Sequence, residues 1–236
     1  MAFDPVGIDA TCVLALELQD NFGTVYQDSS PAENHATRTG AVQSNGPCGL
    51  ALTFDGTNDY LSVADAASLD CAAVTVAAWV KLDATWAAVG YILAKCEDDG
   101  SQYSYGFGCS AALKPFLLIS NDGAAGTAET ANAAISAATW HHVVATYAET
   151  DGLLAGTYLL YVDGALVASD GIGADPTIHV GTGRVTVGAR WDSTEVAEAV
   201  EEFKGRIGGV RVWNRALSAQ EIHELHAVHA GDNTEE

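Results

Sequence analysis

The side chains able to do chemistry in this chain are mostly carboxylates: 31 Asp and Glu stand against 10 Lys and Arg, a formal net charge of −21. Two carboxylates held at a fixed separation across a cleft are what glycoside hydrolysis requires. The densest acidic run, Glu195, Glu198, Glu201 and Glu202, is spaced by alanines in a stretch of helical or loop character, so it reads as a solvated face. Nucleophilic catalysis has no Gly-x-Ser-x-Gly elbow to rest on. His223, His226 and His229 recur every three residues without a soft or acidic partner, which argues against a metal site. The five cysteines, Cys12, Cys48, Cys71, Cys96 and Cys109, are odd in number and match no zinc spacing. They read as buried free thiols, with Cys12–Cys48 and Cys96–Cys109 left open as pairings.

Any such groups must be positioned by strands. Trp140 to Ala168 reads as a meander of three, at residues 143–147, 157–162 and 165–168. Asp163-Gly164 between the last two favours a type I′ hairpin turn. Both alternating sets of the middle strand are apolar, which predicts cover on both faces in the middle of a sandwich. Residues 50–63 alternate as Leu50, Leu52 and Phe54, then Leu61 and Val63, and read as a hairpin around Asp55-Gly56 and Asn58-Asp59. Residues 74–82 put Val74, Val76, Ala78 and Val80 on a core face, with Thr75, Ala77, Trp79 and Lys81 on a face half-buried under loops. Residues 91–95 pair with 103–108, and strands at 114–120 and 184–189 follow. Residues 40–48 read as a connector, 124–138 as a loop with one short strand, and 170–183 as a glycine-rich link. Ser218 and Glu221 form a capping box for a short helix whose apolar stripe is Ile222 and Leu225 and whose end is Gly231.

The bulk properties exclude some partners. At −21 the chain lacks the basic footprint that nucleic acid or an anionic membrane surface needs. The spread of acids reads as solubility in a salty medium, or more sharply as attraction for a cation or a basic partner. No apolar run reaches membrane-spanning length, and MAFDPVGIDA has neither a basic region nor an apolar core, so no secretory signal is expected.

Residues 203–218, Phe-Lys-Gly-Arg-Ile-Gly-Gly-Val-Arg-Val-Trp-Asn-Arg-Ala-Leu-Ser, resemble the closing strand of laminin-G-like domains in the concanavalin A-like lectin/glucanase superfamily. Trp140-His-His-Val with Leu160-Tyr-Val-Asp-Gly, the Leu52-Thr-Phe-Asp-Gly segment ending in Asp59-Tyr, and Val74-Thr-Val-Ala-Ala-Trp-Val-Lys resemble the same domains. Asp28, Ser30 and Asn34 are similar to the family's turn after the first strand, with Pro31 and Glu33 where glycines are usual. The resemblance implies an all-β fold: a concanavalin A-like antiparallel β-sandwich jelly roll of a dozen or more strands with a short C-terminal helix. It spans residues 12–230, leaving tails at 1–11 and 231–236, and gives His141 and His142 a structural role.

The glucanases of that superfamily resemble one another at a Glu-x-Asp-x-x-Glu strand; none is present here, so the expectation is no enzyme. A structural calcium at the sandwich rim is the cofactor the resemblance implies, with Asp28, Asn34 and Asp55 as candidate ligands. Gly208-Gly209 stand where the family usually has an acidic pair, which removes ligand oxygens. Ligand contact in such sandwiches falls on rim loops or a concave sheet face, and the candidates are Trp191 with Asp192, Tyr103, Tyr105 and Trp86. The expected function is non-catalytic recognition of a glycan or protein surface. Alternatives are a decoration role, as a homo-oligomer or docked on a larger protein lattice without sugar, and a divergent glycoside hydrolase. Such modules act outside cells, so with no secretory signal expected, an extracellular or phage virion surface setting reconciles the two observations.

Overall fold

The computed structural model describes residues 8–19, 23–97, 102–124, 126–149, 155–173, 177–192 and 199–230. Its strands sort into two eight-stranded antiparallel sheets, with a separate two-stranded pair, Arg190–Trp191 with Ala199–Val200. The first sheet runs Ala165–Gly173, Ala155–Val162, His141–Glu149, Val74–Leu82, Lys204–Trp213, Gly49–Asp55 and Val42–Gly46, with Cys12–Leu16 also pairing to Lys204–Trp213. The second runs Thr127–Thr130, Pro115–Ile119, Tyr105–Cys109, Gly90–Lys95, Val185–Val187, Tyr60–Val63, Ala36–Thr39 and Val25–Tyr26. This is the all-β sandwich that the resemblance implies.

The core lies between the sheets because alternation turns one side-chain set of each strand inward. Val74, Val76, Ala78, Val80 and Leu82 share one buried cluster with Leu61, Val63, Phe107, Leu117, Val185 and Val187 of the facing sheet. Each such side chain contributes roughly 1.5–3 kcal/mol on leaving water. The meander follows the sequence reading, and its turn has φ 51° at Asp163 and 77° at Gly164, the positive pair a type I′ turn requires. Tyr158 and Leu160 of its middle strand enter the core, while Tyr161 lies with Val144, Trp213, Ile222 and Leu225 in a second cluster. That cluster forms where the helix Ala219–Ala230 covers part of the first sheet's outer face. The helix begins with the expected capping box: Glu221 N donates to Ser218 Oγ at 3.3 Å and Ser218 N to Glu221 Oε2 at 2.8 Å. Its expected end at Gly231 lies outside the described residues, as do Glu195 and Glu198 of the acidic run.

Several expectations change. Residues 50–63 are not a hairpin: Gly49–Asp55 belongs to the first sheet and Tyr60–Val63 to the second, so the turn between them crosses the sandwich. A hairpin and an inter-sheet corner bury the same alternate residues, here Leu52, Phe54, Leu61 and Val63, so the pattern does not separate them. Residues 42–46, read as connector, pair with Gly49–Asp55 as an edge strand, where a polar sequence suffices because only one side is paired. The meander's third strand, expected to end at residue 168, runs on to Gly173 and forms the sheet edge, one strand outside Ala155–Val162. Trp79 is covered by the helix rather than by loops: its ring lies 5.2 Å from that of His142 and stacks 5.7 Å from that of His226. Gly208-Gly209 sit in a β-bulge of the closing strand, with Gly209 at φ 55°.

Candidate functional site

Three strand ends meet at one rim of the sandwich. Gly49–Asp55 and Val74–Leu82 finish where Lys204–Trp213 begins, with Asp55 opposite Lys204 and with Thr53 and Lys81 on either side of Arg206. Phe54, Leu82 and Ile207 face the core, so alternation turns Thr53, Lys81, Lys204 and Arg206 outward. Gly205 allows the strands this approach: it sits at φ 144°, and a Cβ there would collide with the Lys81 carbonyl.

The loop after Val74–Leu82 completes the rim. Asp83 Oδ1 accepts from Thr85 N at 2.8 Å and from Thr85 Oγ1 at 2.6 Å. Those bonds hold the Asp83 carboxyl below its ordinary range, the Thr85 hydroxyl contributing most. The same turn carries Trp86, whose ring meets Phe203 edge-on at 5.1 Å and whose indole N–H donates to Ser110 O at 2.9 Å. Lys204 Nζ donates to Thr85 Oγ1 at 2.7 Å and lies 3.9 Å from Asp83 Oδ1. Two clefts share Lys204 as a wall. One, of about 210 Å³, lies between Trp86, Thr85, Gly56 and Glu202. The other, of about 460 Å³, lies between Asp55, Lys81, Asp83, Ala138 and Arg206. Three of the chain's 10 basic residues line this groove, beside an aromatic ring whose orientation is fixed by its own hydrogen bond.

The residues singled out in the sequence fall in different places. Trp86 and Asp55 meet at the groove. Tyr105 points into the sandwich core and donates its hydroxyl to Leu69 O at 3.1 Å, leaving no ring face for a ligand. Trp191 is 4 % exposed beneath the Arg184 guanidinium, which lies 3.9 Å from the ring centroid. Asp192 beside it is buried, and Tyr103 is half-buried with Arg190 5.5 Å from its ring centroid. Lys81, Thr85, Lys204 and Arg206 were not singled out. The parity of Lys81 and of Lys204-Gly-Arg206 was readable, but which strands neighbour one another was not.

The candidate cation ligands do not form one donor set. The Asp28 carboxylate already accepts four hydrogen bonds: from Ala15 N at 2.7 Å, Ser30 N at 2.8 Å, Ser30 Oγ at 2.6 Å and Asn34 N at 2.7 Å. Asn34 Nδ2 donates to Val13 O at 2.8 Å and Ser68 Oγ at 2.9 Å. Asp55 lies opposite Lys204, whereas Ala15, which holds Asp28, lies opposite Arg211 of the same strand. That separation is roughly 20 Å at strand rise. Among the described residues no three His, Cys, Asp or Glu side chains gather as a metal-holding group.

One arrangement has the form of a catalytic triad. Ser136 Oγ lies 2.8 Å from His141 Nε2, and His141 Nδ1 lies 2.7 Å from Asp163 Oδ2. Asp163 Oδ1 also accepts from His142 N at 2.9 Å, so this carboxylate ties the type I′ turn to the neighbouring strand. Ser136 is exposed on a loop and borders neither cleft of the groove. These bonds tie the loop at Ser136 to the strand at His141 and to the turn at Asp163, as a clasp would.

A laminin-G family model of the concanavalin A-like lectin/glucanases superfamily matches residues 55–223. A comparison with curated protein sequences finds no significant match. Among solved structures, the chain is similar to the binding domain of Paraclostridial Mosquitocidal Protein 1, with a TM-score of 0.68 at 14% identity over 93% of this chain and 52% of that one. It is similar to domain 4 of an extracellular arabinanase from Geobacillus stearothermophilus, solved with arabinotriose: TM-score 0.66, 16% identity, 92% of this chain and 99% of that domain. It is also similar to Trypanosoma rangeli sialidase, solved with sialic acid: TM-score 0.67, 20% identity, 96% of this chain and 34% of that one. The chain thus spans about half of the toxin binding domain, a third of the sialidase and nearly the whole arabinanase domain. The sandwich, its closing strand and the family match over residues 55–223 place this chain in the concanavalin A-like lectin/glucanases superfamily, as a laminin-G-type domain.

Proposed function

We propose that this domain is a non-catalytic recognition module that binds a glycan in the rim groove, acting outside cells, whether free or displayed on a virion. The observation that carries the reading is Trp86 held at the mouth of a cleft beside Lys204, Thr85 and Glu202. A fixed ring face with hydroxyl, ammonium and carboxylate groups around it is the chemistry that stacks and orients a sugar. The arabinanase domain solved with arabinotriose and the sialidase solved with sialic acid support a sugar as the ligand class.

Hydrolysis is poorly supported by the same groove. A glycosidase acid needs its carboxyl raised, whereas Asp83 is held low by Thr85. Asp59, whose carboxyl burial raises, accepts from Asp55 N at 2.9 Å behind the rim and lines neither cleft. A glycan array with the purified protein, run with calcium and again with a chelator, tests the reading. The expected result is saccharide binding that survives the chelator and falls at least about tenfold in W86A, the loss of a stacking contact. Binding to no glycan would overturn the proposal and favour a protein surface as the partner.

A further inference from the structure

We propose that the larger cleft seats a negatively charged group of the ligand between Arg206 and Lys81, so that the saccharides taken by this module are acidic ones; this rests on the glycan reading above. Arg206 and Lys81 are direct cross-strand partners on the outward face of the first sheet. Side chains in that relation have Cβ atoms about 5 Å apart, and like charges there destabilise the sheet. The chain has 31 acidic residues with which to neutralise such a pair. Yet among the described residues neither cation forms an ion pair, whereas Arg184, Arg190, Arg211 and Arg215 elsewhere are each stacked on a ring or bonded to a carboxylate.

Two carboxylates also line this cleft, Asp55 accepting from Thr57 N at 2.7 Å and Asp83 from Thr85 N and Oγ1 at 2.8 and 2.6 Å, so the seat proposed for the anion is the Arg206–Lys81 pair itself. Arg206 is exposed, and its planar fork suits bidentate contact with a carboxylate or sulfate, while Lys81 supplies a point charge beside it. Thr53, the partner of Arg206 on its other side, adds a hydroxyl. Lys204, two residues before Arg206 on the same face, is already bonded to Thr85 and close to Asp83, so it shapes the cleft rather than competing for the anion. The like-charge pair costs stability in the free protein, and an anion bridging the two cations offsets that cost. This is the trade expected of a binding site rather than of packing.

Calorimetric titration with matched saccharide pairs tests the proposal: sialyllactose against lactose, oligogalacturonate against its methyl ester, and a sulfated against an unsulfated galactose oligosaccharide. The first two pairs report a carboxylate and the third a sulfate. The expected result is that the acidic member of at least one pair binds about tenfold or more tighter, the effect of one charge-assisted hydrogen bond. R206Q and K81Q should each lose that preference with no fall in Tm, because either change relieves the repulsion. Equal binding within every pair would overturn the acidic seat and leave the glycan reading standing. No binding to any saccharide would overturn both. Variants that keep the preference, or that lose Tm together with binding, would overturn the seat in favour of another site or a packing role.

Discussion

At the scale of single residues, the most demanding group is Lys95. It is 0 % exposed, and its Nζ lies 2.6 Å from Asp65 Oδ1 and 3.3 Å from Asp70 Oδ1, with bonds to Gly181 O at 2.8 Å and Gly183 O at 3.1 Å. K95M would leave two carboxylates and two carbonyls facing an apolar stem. We expect a loss of about 3–5 kcal/mol in urea denaturation, the usual cost of removing one partner of a buried ion pair; a loss below about 1 kcal/mol would show that water reaches the site. The thiols make a second prediction at this scale. Burial pushes Cys12, Cys71, Cys96 and Cys109 each up to about 12, and none of the five cysteines is in a disulfide. A colorimetric thiol reagent at neutral pH should titrate one group in the native protein, the half-buried Cys48, and all five after unfolding. More than one fast native thiol would contradict the packing of the four.

At the scale of elements, the C-terminal helix is fastened by its first turn. Arg215 donates to both Glu221 oxygens, at 3.1 and 2.7 Å, and these bonds lower the Glu221 carboxyl from 4.5 to about 2. A depressed carboxyl stabilises the fold fully above its unfolded value and loses that contribution as pH falls through its folded value. Helix stabilisation from Glu221 is therefore complete above about pH 4.5 and lost toward pH 2. With both side chains about a third exposed, it is worth roughly 1 kcal/mol after solvent screening. E221Q should show a smaller drop in Tm between pH 5 and pH 2.5 than the parent chain; equal drops would remove the ion pair from the account. At the rim, G205A should both destabilise the sandwich and disturb the groove, because Gly205 combines φ 144° with close approach to the Lys81 carbonyl. Retained Tm and retained ligand binding in G205A would refute that role.

At the scale of the whole molecule, the net charge of −21 repels itself. Raising sodium chloride from about 0.01 to 0.15 M shortens the screening length from about 30 to 8 Å, so Tm should rise over that range. A flat response would mean that local pairs such as Arg211 with Glu17, 2.9 Å apart, already neutralise the field that matters. No helix among the described residues is long and apolar enough to cross a membrane. The sandwich has one face partly covered by the helix, and the groove opens at the strand ends beyond that cover.

Strand periodicity, turn chemistry and capping are local, and they were legible in the sequence alone. The inward set of Val74–Leu82, the Asp163-Gly164 turn and the Ser218–Glu221 box all depend on neighbours within a few residues, and each stands as its residue types require. The choice of neighbouring strands is not local. Whether the turn after Asp55 folds back or crosses the sandwich depends on how both sheets close, so the corner was read as a hairpin. The groove was hidden for the same reason. Trp86 and Asp55 carry their own signals, but Lys81 and Arg206 are 125 positions apart and become neighbours only through the pairing of Val74–Leu82 with Lys204–Trp213. Tyr105 and Trp191 show the converse, since a ring's type does not say whether its face is left open. Composition and period decide what each strand can bury; the closing of two sheets decides which outward side chains share a site.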